Sequence, residues 1–338
     1  MIPAVHIWHG ERNDNHIQFM YKPIVDNIVL LFNELNNIYP VKKINITIND
    51  YDLSSINKYD IFIWIGNEKI DMVPFKELTV LDVYTIYFNT EPGNVSCPYF
   101  EIDEIWTYSI NNILITKYPF KCKVKFFFLI LPITHETISY QNKSNLGLFH
   151  LGPLVKWNIN RSREEKWNLL KKSEILKERL HIIDNVWTDE AFNLLLNNNN
   201  FGIIINIHKK GCNSLESVRI NKLLNHKLII ISEHCCLEEE YLYKNLVFFC
   251  NINQVELIFK RLIQLSKLKI QLLSDYIYQQ FRLLSTNHIN SHHISDTYIS
   301  SRNLMDTEKK YKENSNNLIS KQFGKIVSTT RHVSEPNS

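Results

Sequence analysis

The sequence predicts an α/β protein made of two parallel-sheet halves, followed by C-terminal helices and a polar tail. Three observations carry this expectation. Short apolar runs alternate with stretches of helical periodicity, the pattern of strands covered on both faces by helices. The pattern lapses at the polar stretch ETISYQNKSN (136–145) and then restarts. At 338 residues the chain also exceeds the size at which one hydrophobic core keeps growing, roughly 250–300 residues.

Taken in order, AVHIWH (4–9) reads as a first strand, with the polar loop GERNDNH behind it. Tyr21–Tyr39 places Ile24, Ile28, Leu31, Leu35 and Ile38 on one helical stripe. Ile44–Ile48 is a short strand, YDIFIWI (59–65) a buried one ending at Gly66, and VYTIYF (83–88) another. Glu104–Tyr108 follows, with a short helix after Ser109, and Lys123–Leu131 is a further strand before Pro132. This places the first half at 1–135 and a linker at 136–145. The second half, 146–265, has strands at Leu146–Leu151, His181–Asp184, Phe201–Ile207 and Leu246–Cys250, with helices at Ser162–Leu170 and Glu190–Leu196. Phe201–Glu233 reads as strand, polar loop, helix and second strand. Helical periodicity runs from Gln254 to Ser285 with a break near Ser266, so 266–286 is a separate C-terminal helix. Residues 287–338 are polar and patternless, the composition of a disordered tail.

Composition narrows the function. The chain is 44% hydrophobic and 22% charged, as in soluble globular proteins. Only 8 glycines, with neither G-x-G-x-x-G nor G-x-x-x-x-G-K-[ST], argue against dinucleotide or P-loop binding. A formal charge of +3 without a basic stripe argues against nucleic acid as a partner. Six cysteines without C-x-x-C spacing read as reduced thiols, not as zinc ligands. The N-terminus lacks the apolar core of a signal peptide, and the longest apolar run, Phe126–Ile133, is far below the ~20 residues of a transmembrane span. A cytoplasmic protein with no transmembrane segment, no metal and no cofactor is expected.

The polar residues that carry chemistry cluster where the strand before the central helix ends. Asn206, His208, Lys209 and Lys210 line the loop, Ser214 follows, and Glu216 and Arg219 lie three residues apart on the helix. Strand ends and helix starts of α/β proteins bind phosphorylated ligands, because backbone N–H groups and the helix dipole converge there. The backbone N–H groups of Cys212 to Leu215 are expected to face such a ligand. A second reading stays open: Asn213-Ser214-Leu215-Glu216 forms a capping box, with Glu216 and Arg219 an ordinary surface pair. Glu91, past the strand VYTIYF, and His9, Glu11, Asp14 and His16, past the first strand, lie at the corresponding edge of the first half. Asp50-Tyr51-Asp52 matches D-x-D, a pattern that holds a divalent cation and a diphosphate. His288, His292 and His293 fall in the tail, and the neighbours Cys235 and Cys236 read as packed or idle thiols.

Three segments resemble GT-B glycosyltransferases of the group 1 and CgeB-like kind. They are IYFNTEPGNVS followed by EIDEIWTYSINN, then LFHLGPLVKWNINR, then INIHKKGCNSLESVRINKLLNHKLIIISE with its E-x-x-R-x-x-x-x-L pattern. The resemblance covers about residues 1–285. It implies two Rossmann-like domains facing a cleft, metal-independent transfer from a nucleotide-sugar donor, and a protein, glycan or lipid-linked acceptor. It puts Glu216 on the ribose hydroxyls and Lys209, Lys210 or Arg219 on the diphosphate. His9 is the candidate general base, and Glu91 contacts the acceptor or positions the donor. The second carboxylate of the family's E-x7-E motif is missing: seven residues separate Glu216 from Leu224, which is apolar. An inactive relative that binds a glycan or a partner, and a metal-dependent GT-A enzyme using Asp50 and Asp52, are the alternatives.

Overall fold

The computed structural model describes residues 2–10, 16–48, 52–66, 73–90, 102–115, 122–128, 137–140, 146–152, 161–183, 192–194, 196, 202–208 and 211–286. Two sheets organise them. The first has the order β2-β1-β3-β4-β5-β6, from Ile44–Ile48 (β2), Val5–His9 (β1), Ile61–Ile65 (β3), Tyr84–Asn89 (β4), Glu104–Thr107 (β5) and Lys123–Phe126 (β6). The second has the order β11-β10-β9-β7-β8, from Phe248–Cys250 (β11), Ile230–Glu233 (β10), Ile203–Asn206 (β9), Leu148–Leu151 (β7) and Leu180–Ile183 (β8). Every strand pairing among the described residues is parallel, so each sheet has all its carboxyl ends on one edge. Two α/β halves with parallel sheets are the fold class the alternation predicted.

Burial explains why the strands read as continuous apolar runs. Every residue of β1, β3, β4 and β5 is buried, whereas the edge strands β2 and β6 are partly exposed. In β3, Ile61, Ile63 and Ile65 pack with α1 (His16–Glu34), while Phe62 and Trp64 pack on the other face with Phe75 and Leu78 of α2 (Phe75–Val80). Alternation within one strand thus feeds two separate cores, the condition that parallel sheets impose.

Helix α1 begins five residues before the expected Tyr21 and ends five before Tyr39, running through Pro23. Its end has a local cause. The Asn36 side chain accepts the Val41 N–H at 2.9 Å, turning the chain away, and Ile38 is left exposed. The short helix after Ser109 is α3 (Ile110–Ile115).

The second half adds α4 (Arg161–Leu170), α5 (Ser217–Asn225), α6 (Leu237–Tyr243), α7 (Val255–Ile263) and α8 (Lys267–Thr286). The break near Ser266 is real: α7 stops at Ile263 and α8 starts at Lys267. The two halves interlock. Phe128, just past β6, belongs to the second core, as do Ile138 and Tyr140 of the expected linker, and Val218 of α5 inserts into the first core beside Trp106, Tyr108 and Phe127. Residues 190, 191 and 195 of the expected helix, 136 and 141–145 of the linker, and the tail lie outside the described residues. No helix among the described residues is long and apolar enough to cross a membrane.

Candidate functional site

At the carboxyl edge of the second sheet, three chain segments converge on Glu216. Glu216 immediately precedes α5 and has a left-handed backbone, φ 55° and ψ 53°, which an L-residue with a side chain adopts at a cost of about 1–2 kcal/mol. Its side chain caps nothing, so the capping box predicted from Asn213 to Glu216 does not form and the helix starts only at Ser217. Instead the carboxylate is held by two guanidinium groups. Arg219 Nη2 donates to Glu216 Oε2 and to Asn206 Oδ1, and Arg163 Nη2 of α4 lies 3.4 Å from Glu216 Oε1. Arg163 Nε in turn donates to the Ile207 carbonyl at 2.9 Å, which fixes the fork. Burial pushes the Glu216 pKa up, but Arg219 and Arg163 outweigh it and hold the carboxyl below its ordinary range.

A second ionic pair stands beside the first. Lys166 Nζ of α4 is 2.9 Å from Glu233 Oε2, at the end of β10, and 3.1 Å from the His208 carbonyl. Glu233 also accepts the His208 N–H at 2.7 Å. Ser162, Lys166, His208, Gly211, Cys212, Asn213, Glu233 and His234 line a cavity of about 300 Å³. Two buried imidazoles flank it and its guanidinium neighbours. His150 Nδ1 faces the Ile205 carbonyl at 3.3 Å; a carbonyl only accepts, so the hydrogen sits on Nδ1, and Nε2 has no hydrogen-bond partner. Burial, then the cations Arg219 and Arg163, push its pKa down to about 3. His208 has its Nε2 3.2 Å from the Glu233 carbonyl and its Nδ1 unpaired, and burial lowers its pKa too. Both rings are neutral at pH 7.

Of the residues predicted for this site, the fold brings Asn206, His208, Glu216 and Arg219 together. Ser214 is fully buried and turned away, its hydroxyl on that of Ser109 in the first half. The Leu215 N–H is likewise taken, by Glu239 Oε2 at 2.7 Å, whereas Cys212 and Asn213 line the cavity. Lys209, Lys210 and Glu91 lie outside the described residues, as do Glu11, Asp14, Asp50 and the tail histidines. His9 ends β1, is 6% exposed, and packs edge-on against Tyr21 at 5.9 Å. The Asp52 carboxylate caps a short turn, accepting the Ser54 N–H at 2.9 Å. Among the described residues no cluster of three or more His, Cys, Asp or Glu side chains could hold a metal ion.

Sequence reading missed Arg163, Lys166, Glu233 and Glu239. The first two sit on an ordinary charged helix face, and only the tertiary structure carries that face to the ends of β9 and β10. Leu224, separated from Glu216 by seven residues, is fully buried in the core and faces no part of the site.

No family model matches the chain, and no curated protein matches it. Among solved structures, the chain is similar to TarM at 8% identity, covering 74% of this chain and 56% of that one with a TM-score of 0.46. It is similar to WaaG, a glycosyltransferase involved in lipopolysaccharide biosynthesis, at 8% identity over 88% of this chain and 99% of that one, TM-score 0.45. A third is the trehalose-6-phosphate protein from E. coli bound with UDP-2-fluoro glucose, at 9% identity over 87% and 92%, TM-score 0.45. The chain thus spans just over half the length of TarM and nearly all of WaaG.

Proposed function

We propose that the chain is a GT-B glycosyltransferase that moves a sugar from a nucleotide-sugar donor to an acceptor without an obligatory metal. One observation carries this reading: a carboxylate in a strained left-handed backbone, clasped by two guanidinium groups at the carboxyl edge of a parallel sheet. An ionised carboxylate only accepts hydrogen bonds, which suits the vicinal hydroxyls of a ribose, and Glu216 takes that role. Arg219, Arg163 and Lys166, joined by Lys209 and Lys210 of the loop, then stabilise charge on the departing diphosphate. Asn206 orients Arg219, since its carbonyl oxygen receives the guanidinium. Neutral His208 offers the sugar an uncharged hydrogen-bonding edge. On the first half, His9 is the base that takes the proton of the acceptor hydroxyl, and Glu91 positions the acceptor.

A second reading, a binding protein that turns nothing over, is favoured by one observation. Glu233, the carboxylate beside the cavity, is engaged by Lys166 and the His208 N–H. Calorimetric titration of UDP, GDP and their sugars, with EDTA and with Mn²⁺, tests both. Binding in EDTA that weakens at least tenfold in Glu216→Gln is expected. Failure to bind any nucleotide, or strict dependence on Mn²⁺, overturns the donor site. Binding without donor hydrolysis or transfer to any acceptor class decides for the second reading.

A further inference from the structure

Glu239, on α6, has no part in the donor contacts above, yet it is one of the most deeply buried carboxylates of the molecule, 2% exposed. It stands at the seam between the halves. Oε1 accepts the Ser109 hydroxyl at 2.9 Å and the Asn111 N–H at 3.3 Å, both from the turn that leaves β5 and enters α3 in the first half. Oε2 accepts the Leu215 N–H at 2.7 Å, and Leu215 is the residue before Glu216. Ser109 has a single hydroxyl hydrogen. With that hydrogen committed to Glu239, the contact between the two serine hydroxyls requires Ser214 to donate to Ser109. The chain of bonds therefore runs Ser214 to Ser109 to Glu239, with Leu215 donating from the other side. Ser217, the first residue of α5, adds a bond to the Tyr108 carbonyl at 2.9 Å.

We propose that Glu239 is a positioning residue that transmits the docking of the two halves to the donor carboxylate. This rests on the donor-site reading of Glu216. The physical basis is the geometry of a bridging carboxylate. Its two oxygens are rigidly linked, and one is held by the first half while the other holds the backbone that enters Glu216. The left-handed conformation at Glu216 has no side-chain cap of its own, and the tether at Leu215 is the contact on the residue directly before it, flanked by the bonds of Ser214 and Ser217. Moving the β5–α3 turn moves Glu239, and with it the residue that aims Glu216 at Arg163 and Arg219. Donor binding and approach of the acceptor half are coupled in this way without any direct contact between the two ligands.

The test uses Glu239→Gln, Glu239→Ala and Ser109→Ala in the full chain, with two readouts. Hydrogen exchange of the Leu215 amide is expected to accelerate at least tenfold in Glu239→Ala and also in Ser109→Ala, although Ser109 lies in the other half. UDP affinity, measured at a temperature where every variant is folded by circular dichroism, is expected to fall about tenfold in Glu239→Ala. Glu239→Gln, whose amide oxygen still accepts the Leu215 N–H, is expected to retain most of it. A purely structural role predicts lower melting temperatures with unchanged affinity, and that result overturns the proposal. If the wild type binds no nucleotide, the donor-site reading fails separately. The seam then stands or falls on whether Ser109→Ala accelerates exchange at Leu215.

Discussion

A single backbone angle separates the two readings of Glu216 that sequence left open. In a capping box Glu216 would be the third helical residue, with a right-handed helical backbone and its side chain turned back onto the Asn213 N–H; the left-handed Glu216 instead projects its carboxylate towards α4, where Arg163 waits. Neighbouring His150 shows how strongly burial acts at this site, with the cations Arg219 and Arg163 adding to it. Its pKa of about 3 lies below the ~6.5 of an unfolded histidine. The unfolded chain therefore takes up this proton first as pH falls. The stability tied to neutral His150 is complete above about pH 6.5, drains below it, and is lost near pH 3. Urea midpoints measured from pH 7 to pH 4 should accordingly fall more steeply in the wild type than in His150→Gln, and NMR at pH 5 should find His150 neutral with its hydrogen on Nδ1. A protonated His150 at pH 5 would contradict this.

Among the elements, the junction of α1 with β3 packs directly beside His9. Gly66 follows β3 with φ +86°, and a Cβ placed there would lie 2.0 Å from the Tyr21 hydroxyl oxygen and 2.3 Å from its Cζ. Tyr21 is itself packed against His9. Gly66→Ala is therefore expected to destabilise by about 1–3 kcal/mol, the range for overpacking, and to displace the Tyr21 and His9 rings together. Thermal unfolding gives the first quantity and the His9 ring resonances the second; an unshifted His9 would show that Tyr21 yields alone. The elements also mark the reach of periodicity as evidence. The break expected near Ser266 falls where α7 gives way to α8. The C-terminal end of α1 was not legible, because Asn36 turns the chain through a bond from Val41, five residues on.

In the molecule as a whole, each half borrows an apolar residue from the other. Phe128 leaves the first sheet to stack on Tyr243, their ring centroids 6.1 Å apart, and Val218 leaves the second half to join the first core. Phe128→Ala is expected to cost about 3–5 kcal/mol, as for other buried aromatic truncations. Most of that loss should appear as faster hydrogen exchange in β9 and β10, not in β3 and β4, although Phe128 follows the first sheet. Equal losses in both sheets would mean that the cores unfold as one.

By itself the sequence determined the class of the fold and the position of one half of the site. Burial on both faces writes itself into a strand as an uninterrupted apolar run, and Asn206, His208, Glu216 and Arg219 are close together along the chain. Only the tertiary structure decided the rest. Arg163, Lys166 and Glu233 reach the site because parallel pairing brings the carboxyl ends of β7, β9 and β10 to one edge beside α4. Ser214 leaves it because Ser109, 105 residues earlier, claims its hydroxyl. Patterning records whether a residue is buried, since that depends on its own side chain. It does not record which partner a polar group finds, since that depends on which strands pair.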